Sequence, residues 1–456
     1  MAAADQMAAN MSWSAFGKAK DLQNRILFTI GLLIVYRLGT FIPIPGIDGD
    51  QLRAFVEQTS GGILGMAAMF TGNALARMAI FALGIMPYIS ASIIMQLATS
   101  MVPSLEQLKK DGEAGRKKIN QYTRYGTVLL ALVQSYGLAI GLQGQGLAVS
   151  PGPFFIATTV ITLVGGTMFL MWLGEQITAR GVGNGISLII FVGIVAELPS
   201  ALAQFFELGR TGQLATIAII GIIIMAIAVI YAVVFIERAQ RRILIQYPKR
   251  QVGNKMYGGE NSHLPLKLNT AGVIPPIFAT SLLLLPTTVA SFSAAGGDAG
   301  FMGSVAAYLG RGQPLYLITF ALLIAFFVFF YTAVVFNPDD VSDNLKKQGG
   351  FVPGIRPGKR TAEYLDFVLT RLSVVGAIYL VIVCLLPEIL IAELAVPFYF
   401  GGTSLLIVVS VTMDTITQIQ SHLMAHQYQG LIEKSKIRGK RSGKQTGGKP
   451  GRRKTT

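Results

Sequence analysis

Residues whose type and spacing could support enzyme chemistry are few in this chain. His422 and His426 lie four residues apart in HLMAH, the separation that places two metal ligands on one face of a helix. This segment lacks the glutamate of the HExxH motif and follows the last apolar stretch, so an exposed helix is the favoured interpretation. Gly358-Lys359 resembles the end of a phosphate-binding loop, but Pro353 stands where that loop needs its first glycine. These patterns therefore predict neither a metal site nor a nucleotide site.

Charged residues in or at the ends of apolar stretches are the second kind of candidate. They are Arg37, Glu175 and Asp414, and pumps and symporters use such groups as relays or counter-ions. Glu175 has Arg180 within reach, which favours a surface ion pair. Asp414 is expected to meet water, and Arg37 to extend to the interface or to be paired. Secondary transport stays the alternative function, with Arg37 as the buried charge that it would need.

The composition is typical of a helical membrane protein. Of 456 residues, 52% are hydrophobic and 13% charged, and the mean hydropathy is +0.55. Soluble proteins carry roughly 25% charged residues, so a soluble multidomain enzyme is disfavoured. The single cysteine, Cys384, excludes a disulfide framework and a cysteine-based metal site. No histidine lies within an apolar stretch, which disfavours a serine protease acting at membrane depth.

Ten apolar stretches approach the length of about 20 residues that a bilayer-spanning helix needs. The clearest, from Leu214 to Ile236, contains neither charge nor proline. The predicted spans are 25–45, 78–98, 122–142, 154–174, 184–206, 214–236, 271–290, 315–336, 368–387 and 396–418. We therefore predict an all-α membrane protein with ten transmembrane helices.

The basic residues support this count, because alternate connections carry most of them. With ten spans, 33 of the 38 lysines and arginines fall on one side of the membrane. The others are Arg37, Arg53, Arg77, Arg210 and Arg311. The excess of positive charge in cytoplasmic loops of membrane proteins then places both termini in the cytoplasm. The first apolar stretch is long and interrupted by Arg37, so it is predicted to be a span and not a cleaved signal peptide.

Ten spans divide into two inverted halves of five. The predicted division is a cytoplasmic segment 1–24, an N-terminal half 25–206, a C-terminal half 207–418 and a basic tail 419–456. The second helix of each half contains helix breakers, Gly84 and Pro87 in one and Pro275 and Pro276 in the other. Matching interrupted helices indicate a site between the halves, although kinks in ordinary packed helices are the alternative.

Two polar, basic segments, 237–270 and 337–367, lie on the predicted cytoplasmic side. Long loops of this kind commonly serve as docking surfaces. Their charge suits anionic lipid, an RNA-rich partner or an acidic protein, and electrostatics alone does not choose among these. The end of the tail, GKRSGKQTGGKPGRRKTT, has a low-complexity basic composition that predicts disorder.

Eight stretches closely resemble the SecY family of channel subunits in the bacterial protein translocase. They are FIPIPGID (41–48), IFALGIMPYISASIIMQL (80–97), DGEAGRKKINQYTRYGT (111–127), GTMFLMWLGEQIT (166–178), GVGNGISLIIF (181–191), HLPLKLNTAGVIPPIFA (263–279), YTAVVFNPDDVSDNLKKQGGFVPGIRPG (331–358) and VPFYFGGTSLLIVV (396–409). The resemblance covers about residues 20–435. The long basic tail departs from the common pattern.

The resemblance implies an hourglass channel of two inverted halves, narrowed by a ring of apolar side chains. The matching residues are Ile85, Ile89, Ile186, Ile190, Ile277 and Ile407. An isoleucine ring can surround a chain of any sequence and resists hydration when closed. From the pattern alone, packing or lipid-facing isoleucines would be the simpler interpretation.

The resemblance also implies a plug and a lateral gate. The plug matches the segment 61–77, a short helix that blocks the outer funnel at rest, with Gly61, Gly62, Ile63, Leu64, Gly65, Met66 and Phe70 as its matching residues. The second and seventh helices would face each other as a gate through which membrane segments leave for lipid. Polar residues expected to close this gate are Gln96, Gln134 and Asn269.

The implied function is passage of secretory polypeptides across the bacterial plasma membrane, without catalysis or cofactors. The driving force would come from the SecA ATPase or the translating ribosome, docked at Arg238, Arg242, Lys249, Arg250 and Arg356. Further implied partners are the small membrane subunits SecE and SecG, signal-bearing preproteins, SecDF, YidC and anionic lipids. A purely structural membrane scaffold is a third interpretation, which would tolerate charged substitutions in the isoleucine ring.

Overall fold

The computed structural model describes residues 19–52, 71–212, 216–247, 250–252, 255–257, 261–283, 313–394 and 402–442. These residues contain twelve helices and four short strands. The helices of the first half are α1 (Lys20–Gly39), α2 (Met86–Met101), α3 (Pro103–Lys110), α4 (Glu113–Gly144), α5 (Pro153–Arg180) and α6 (Gly185–Arg210). Those of the second half are α7 (Thr216–Arg238), α8 (Ile274–Leu283), α9 (Pro314–Val335), α10 (Pro338–Lys347), α11 (Lys359–Leu394) and α12 (Gly402–Ser442).

Each of the ten predicted spans overlaps one of these helices. Seven helices in the described ranges are long and apolar enough to cross a membrane, namely α4, α5, α6, α7, α9 with its continuation α10, α11 and α12. The pair α2 and α3 gives an eighth if it is counted as one broken span. The other two overlaps are α1, which carries charged residues at both ends, and the short apolar helix α8.

Prolines set the ends of the second helix of each half. Pro87 lies in the first turn of α2, so the predicted helical start at residue 78 is wrong, and turns occupy residues 71–85. Proline is tolerated in a first turn because the amide hydrogen that it lacks would have no helical partner there. Val102 precedes Pro103 and is extended, so the chain bends by 98° between α2 and α3. Pro275 and Pro276 likewise lie at the start of α8.

The two basic segments predicted as loops form a structured body. Strands β1 (Gln240–Gln246) and β4 (Asn261–Lys267) pair antiparallel, and β2 (Arg250–Val252) pairs with β3 (Lys255–Tyr257) between them. The backbones of Gln246 and Phe351 exchange two hydrogen bonds of 2.9 and 3.0 Å. These bonds join the hairpin to the second basic segment, so the two predicted loops are one unit.

An apolar core lies beneath this unit and fixes its position on the bundle. Ile243 of β1 and Leu266 of β4 pack with Val352 and with Leu365 of α11. Alternate residues of β1 are buried, as expected for a strand with one face on a core. The larger core of the molecule is built from residues of α2, α5, α6, α8, α9, α11 and α12.

The tail begins as a continuation of the last span. Helix α12 runs from Gly402 to Ser442, so it extends beyond the predicted span end at residue 418. His422 is exposed on this helix, as the interpretation of the HLMAH segment expected. The remainder of the segment predicted to be disordered lies outside the described residues.

Candidate functional site

The six isoleucines of the predicted ring converge from four parts of the chain. Ile85 and Ile89 lie at the start of α2, Ile186 and Ile190 at the start of α6, Ile277 in α8 and Ile407 in α12. Five of them are buried, with at most 8% of the residue exposed, and Ile186 is half-buried against them. All six belong to one hydrophobic cluster. The fold therefore brings together side chains that are more than 300 residues apart in sequence.

Local geometry explains how each helix presents its isoleucines. Side chains four residues apart share one face of a helix, which aligns Ile186 with Ile190. Asn184 caps α6 by accepting a hydrogen bond of 3.2 Å from the backbone nitrogen of Ile186. A Cβ on Gly185 would overlap the carbonyl oxygen of Gly174 in α5, so glycine lets α6 begin directly against α5. This close approach fixes the depth of the first turn of α6.

The cluster that contains the six isoleucines is apolar and buried. Isoleucine offers no donor or acceptor, and the cluster around Ile407, which is 0% exposed, excludes water. Ions meet a large desolvation cost in such surroundings. Such a cluster offers no group that could bond to a polar chain or an ion.

The three polar residues predicted for the lateral gate are not joined to one another by hydrogen bonds within the described ranges. On α2, the Nε2 of Gln96 donates to Ser92 Oγ at 3.4 Å, while its Oε1 is buried without a partner. Gln134 is half-buried on α4. Asn269 is buried, and its Nδ2 donates to Glu237 Oε1 at 2.8 Å and to the Gly272 carbonyl at 3.0 Å. Asn269 therefore braces the turn before α8 against the end of α7.

A contact that sequence reasoning missed does join the second and seventh helices. Ser281 Oγ of α8 donates to Met86 Sδ of α2 at 3.5 Å, across 195 residues of sequence. A thioether is a weak hydrogen-bond acceptor, so this contact joins the two helices only weakly and little free energy is needed to break it. Serine in an apolar helix was the only available signal, and it does not identify its partner.

Replacing Asn269 with leucine is expected to lower the free energy of unfolding by about 1–3 kcal/mol, because a part-buried carboxylate would lose its donor. The backbone nitrogen of Gly272 would also lose the Oδ1 acceptor that it meets at 3.1 Å. Thermal unfolding of the purified complex in detergent measures this loss. Gln134→Leu is the matched control, and an equal fall in both variants would contradict the bracing role.

Sequence reasoning identified only one member, Arg37, of an ion-pair cluster at the end of α1. Arg37 Nη2 lies 3.0 Å from Glu197 Oε1 of α6, and Arg77 Nη2 lies 3.6 Å from the same oxygen. The expectation that Arg37 is paired is met, but Glu197 was overlooked although it falls within the predicted span 184–206. An acidic residue in an apolar stretch was the signal that could have found it.

The prediction that Glu175 pairs with Arg180 is wrong. Its carboxylate forms a two-bond ion pair with Arg124 of α4, with distances of 3.0 and 2.6 Å, and not with Arg180. Arginine and carboxylate match in this geometry because the guanidinium presents two parallel donors. The pair ties the C-terminal part of α5 to α4. Asp414 of α12 is exposed, as expected.

Of the predicted docking residues, those that the structure describes lie on the structured basic body or beside it. Arg238 ends α7, Arg242 lies on β1, and Arg356 lies in the turn before α11, all three exposed. The carbonyl of Arg356 accepts a hydrogen bond of 3.0 Å from Thr361, which fixes its backbone. Lys249 lies outside the described residues, and for Arg250 the structure describes the backbone within β2.

The predicted plug residues Gly61, Gly62, Ile63, Leu64, Gly65, Met66 and Phe70 all lie outside the described residues. The remaining part of the predicted plug segment, 71–77, forms turns. Within the described ranges no group of three or more His, Cys, Asp or Glu residues could hold a metal ion.

Comparison with known proteins shows the family to which the chain belongs. The SecY family model matches residues 79–416. The chain is 56% identical over 427 residues to "Protein translocase subunit SecY" of Pseudomonas aeruginosa, covering 94% of this chain and 97% of that protein. It is 54% identical over 430 residues to the protein of the same name from Escherichia coli, covering 93% of this chain and 97% of that protein.

Solved structures establish the architecture. One described as a protein conducting channel matches with a TM-score of 0.64 at 19% identity, over 88% of this chain and 92% of its own. Sec61 in the canine ribosome-channel complex from the endoplasmic reticulum matches with a TM-score of 0.59 at 19% identity, over the same 88% and 92%. The fold is therefore the ten-helix, two-half channel fold that the sequence predicts, and the chain belongs to the SecY family.

Proposed function

We propose that this chain is the pore-forming subunit of a protein-conducting Sec translocase. It passes unfolded secretory polypeptides across the membrane and releases transmembrane segments sideways into lipid. The observation that carries this proposal is the convergence of six isoleucines from α2, α6, α8 and α12 into one dry cluster. A constriction of this kind gives a passing chain a lining that is indifferent to its sequence.

The contact between α2 and α8 supports lateral release. These two helices are the second of each half, and the thioether contact of 3.5 Å joins them weakly. Opening the gate there would cost one weak polar contact together with apolar packing that lipid or a hydrophobic segment can replace. A signal sequence or a transmembrane segment supplies that replacement surface.

The driving force comes from partners. We assign the basic body that carries Arg242 and Arg356 as the docking surface for the SecA ATPase or the translating ribosome. The matching Sec61 structure is a ribosome-channel complex, which supports a ribosome partner. SecE, SecG, SecDF, YidC, signal-bearing preproteins and anionic lipids complete the set of partners that the family relationship suggests.

The chain is a multi-pass membrane protein, and we assign it to the bacterial plasma membrane with both termini in the cytoplasm. The asymmetry of its basic residues supports this orientation. The N-terminal end of α1 also packs with Val182 and with Leu423 of α12. The start of the first helix and the part of α12 that follows the last predicted span therefore lie on the same side of the bundle.

A crosslinking experiment tests the pore assignment. Cys384 is the only cysteine, so Cys384→Ala gives a cysteine-free background in which Ile277→Cys is introduced. The complex is reconstituted in proteoliposomes with SecA, ATP and a preprotein that stalls during passage. We expect the stalled chain to crosslink to the cysteine at position 277 only when SecA and ATP are present.

The control places the cysteine at Ile161 of α5, which is 72% exposed on the outside of the bundle, and no crosslink is expected there. Equal crosslinking at both positions, or none at position 277, would refute the pore assignment. Saturable flux of a small solute in place of crosslinking would favour secondary transport.

A further inference from the structure

We propose that Arg37, Glu197 and Arg77 form a brace that holds the two isoleucine-bearing elements of the N-terminal half together and keeps the ring closed at rest. This inference rests on the proposed channel function. Arg37 and Glu197 are positioning residues in it, because their hydrogen bonds join α1, α6 and the segment 71–85 and do not involve the isoleucines. The brace links the segment that leads into α2 with the helix α6.

The contacts of Arg37 define the brace. Its Nη2 donates to Glu197 Oε1 at 3.0 Å, and its Nη1 donates to the Gly72 carbonyl at 2.9 Å. One guanidinium therefore bonds to α6 and to the chain segment 71–85 at once. Arg37 lies in the last turn of α1, where a positive charge also meets the negative end of the helix dipole.

Neighbouring groups hold the guanidinium in place. Arg77 adds a second positive charge 3.6 Å from Glu197. The ring of Phe41 lies 5.0 Å from the guanidinium carbon of Arg37 and 4.4 Å from that of Arg77, within cation–π range of both. The side chain of Glu197 is 14% exposed. Loss of its charge would leave two partly desolvated arginines without their counter-ion.

The backbones also meet at this point. A Cβ on Gly72 would lie 3.0 Å from the Cα of Gly193, and one on Gly193 would lie 3.1 Å from the nitrogen of Gly72. Gly193 is one helical turn before Glu197, so this backbone contact and the ion pair lie on the same face of α6. Tyr36 Oη donates to the Thr71 carbonyl at 3.3 Å and reinforces the contact.

The brace connects to the ring through both elements. Segment 71–85 ends at Ile85, and α6 carries Ile186 and Ile190 on the turns before Glu197. At 1.5 Å per residue, Glu197 lies about 10 Å along the helix from Ile190. Separation of the segment from α6 at the brace would therefore spread two contributors to the ring.

The test measures ion leak through the idle channel. Complexes carrying Glu197→Gln, Glu197→Arg, Arg37→Gln, or Arg37→Gln together with Glu197→Gln are reconstituted in proteoliposomes. We expect Glu197→Gln to raise the resting leak about tenfold per folded channel, which corresponds to about 1.4 kcal/mol in the open–closed equilibrium. Glu197→Arg is expected to leak more, because it would place a third positive charge beside Arg37 and Arg77. The double variant is expected to leak less than the product of the two single increases, because paired residues are energetically coupled.

Glu207→Gln is the matched control, because Glu207 forms an exposed ion pair of 2.7 Å with Arg210 on the same helix. Thermal unfolding of each variant separates lost stability from an altered resting state. SecA-driven translocation of preproteins with intact and defective signal sequences is the second measurement. The Glu197 variants are expected to accept the defective signal at several times the wild-type rate.

The outcomes separate the brace from the channel function. A wild-type complex that translocates, together with Glu197 variants that leak no more than Glu207→Gln, would overturn the brace alone. A double variant, Arg37→Gln with Glu197→Gln, whose leak equals the product of the two single increases would overturn the pairing. A wild-type complex that translocates nothing would overturn the channel function on which the inference rests.

Discussion

Ile407→Asp is expected to raise the ion conductance of the idle channel about a hundredfold. Ile407 is 0% exposed in the middle of the isoleucine cluster. A charged carboxylate at membrane depth costs about 2.5–3.5 kcal/mol, and about 2.8 kcal/mol is a factor of one hundred in an equilibrium. The closed ring would bury this charge, whereas an open ring would hydrate it, so the substitution favours the open state.

Single-channel recording in planar bilayers measures this change directly. Ile407→Leu is the matched control, since it keeps the apolar character and the volume of the side chain and should keep the seal. Normal resting conductance in a folded Ile407→Asp complex would contradict the ring assignment. That result would favour the interpretation of the chain as a structural scaffold.

Arg356→Glu is expected to abolish SecA-driven export while the protein stays inserted and folded. Arg356 is exposed, and its guanidinium has no hydrogen-bond or ion-pair partner within the described part of the chain. Reversing its charge therefore costs the channel little stability. At a partner interface the same change replaces attraction by repulsion, and charge pairs at interfaces contribute about 1.5–7 kcal/mol.

Export of a radiolabelled preprotein into inverted membrane vesicles measures the loss. Arg360→Glu is the matched control, because Arg360 is an exposed arginine four residues further on, near Glu363 at 3.9 Å. Resting ion conductance should be unchanged in both variants. Normal export by Arg356→Glu, or an equal loss in Arg360→Glu, would refute the docking role.

The sequence alone determined the number and approximate position of the spans. Hydropathy and length decide this, because a bilayer-crossing helix must bond its backbone internally and present about 20 apolar residues. The ten predicted spans accordingly each overlap a helix. The basic residues predicted the orientation, which stays a prediction. The residues of the ring, the plug and the docking surface came from resemblance to the family, since apolar periodicity gives no such signal.

The first residues of helices were predicted less well, because a proline can either interrupt a helix or lie in its first turn. Pro87, Pro275 and Pro276 were interpreted as interruptions within helices, but they lie in the first turns of α2 and α8. The basic segment 237–270 was predicted as a loop because of its polar composition and its Gly and Pro residues, although β1 itself contains neither. The seven-residue pairing of β1 with β4 depends on contacts across the hairpin.

The tertiary structure decided which isoleucines face one another and which charges pair. Ile407 is 0% exposed and Ile224 of α7 is 62% exposed, yet both lie in equally apolar stretches, because lipid and protein interior are both apolar. Glu197 meets Arg37 across 160 residues, and Glu175 meets Arg124 across 51. Pairing across such distances depends on how helices pack, whereas sequence patterns report only which face and which stretch of each helix is apolar.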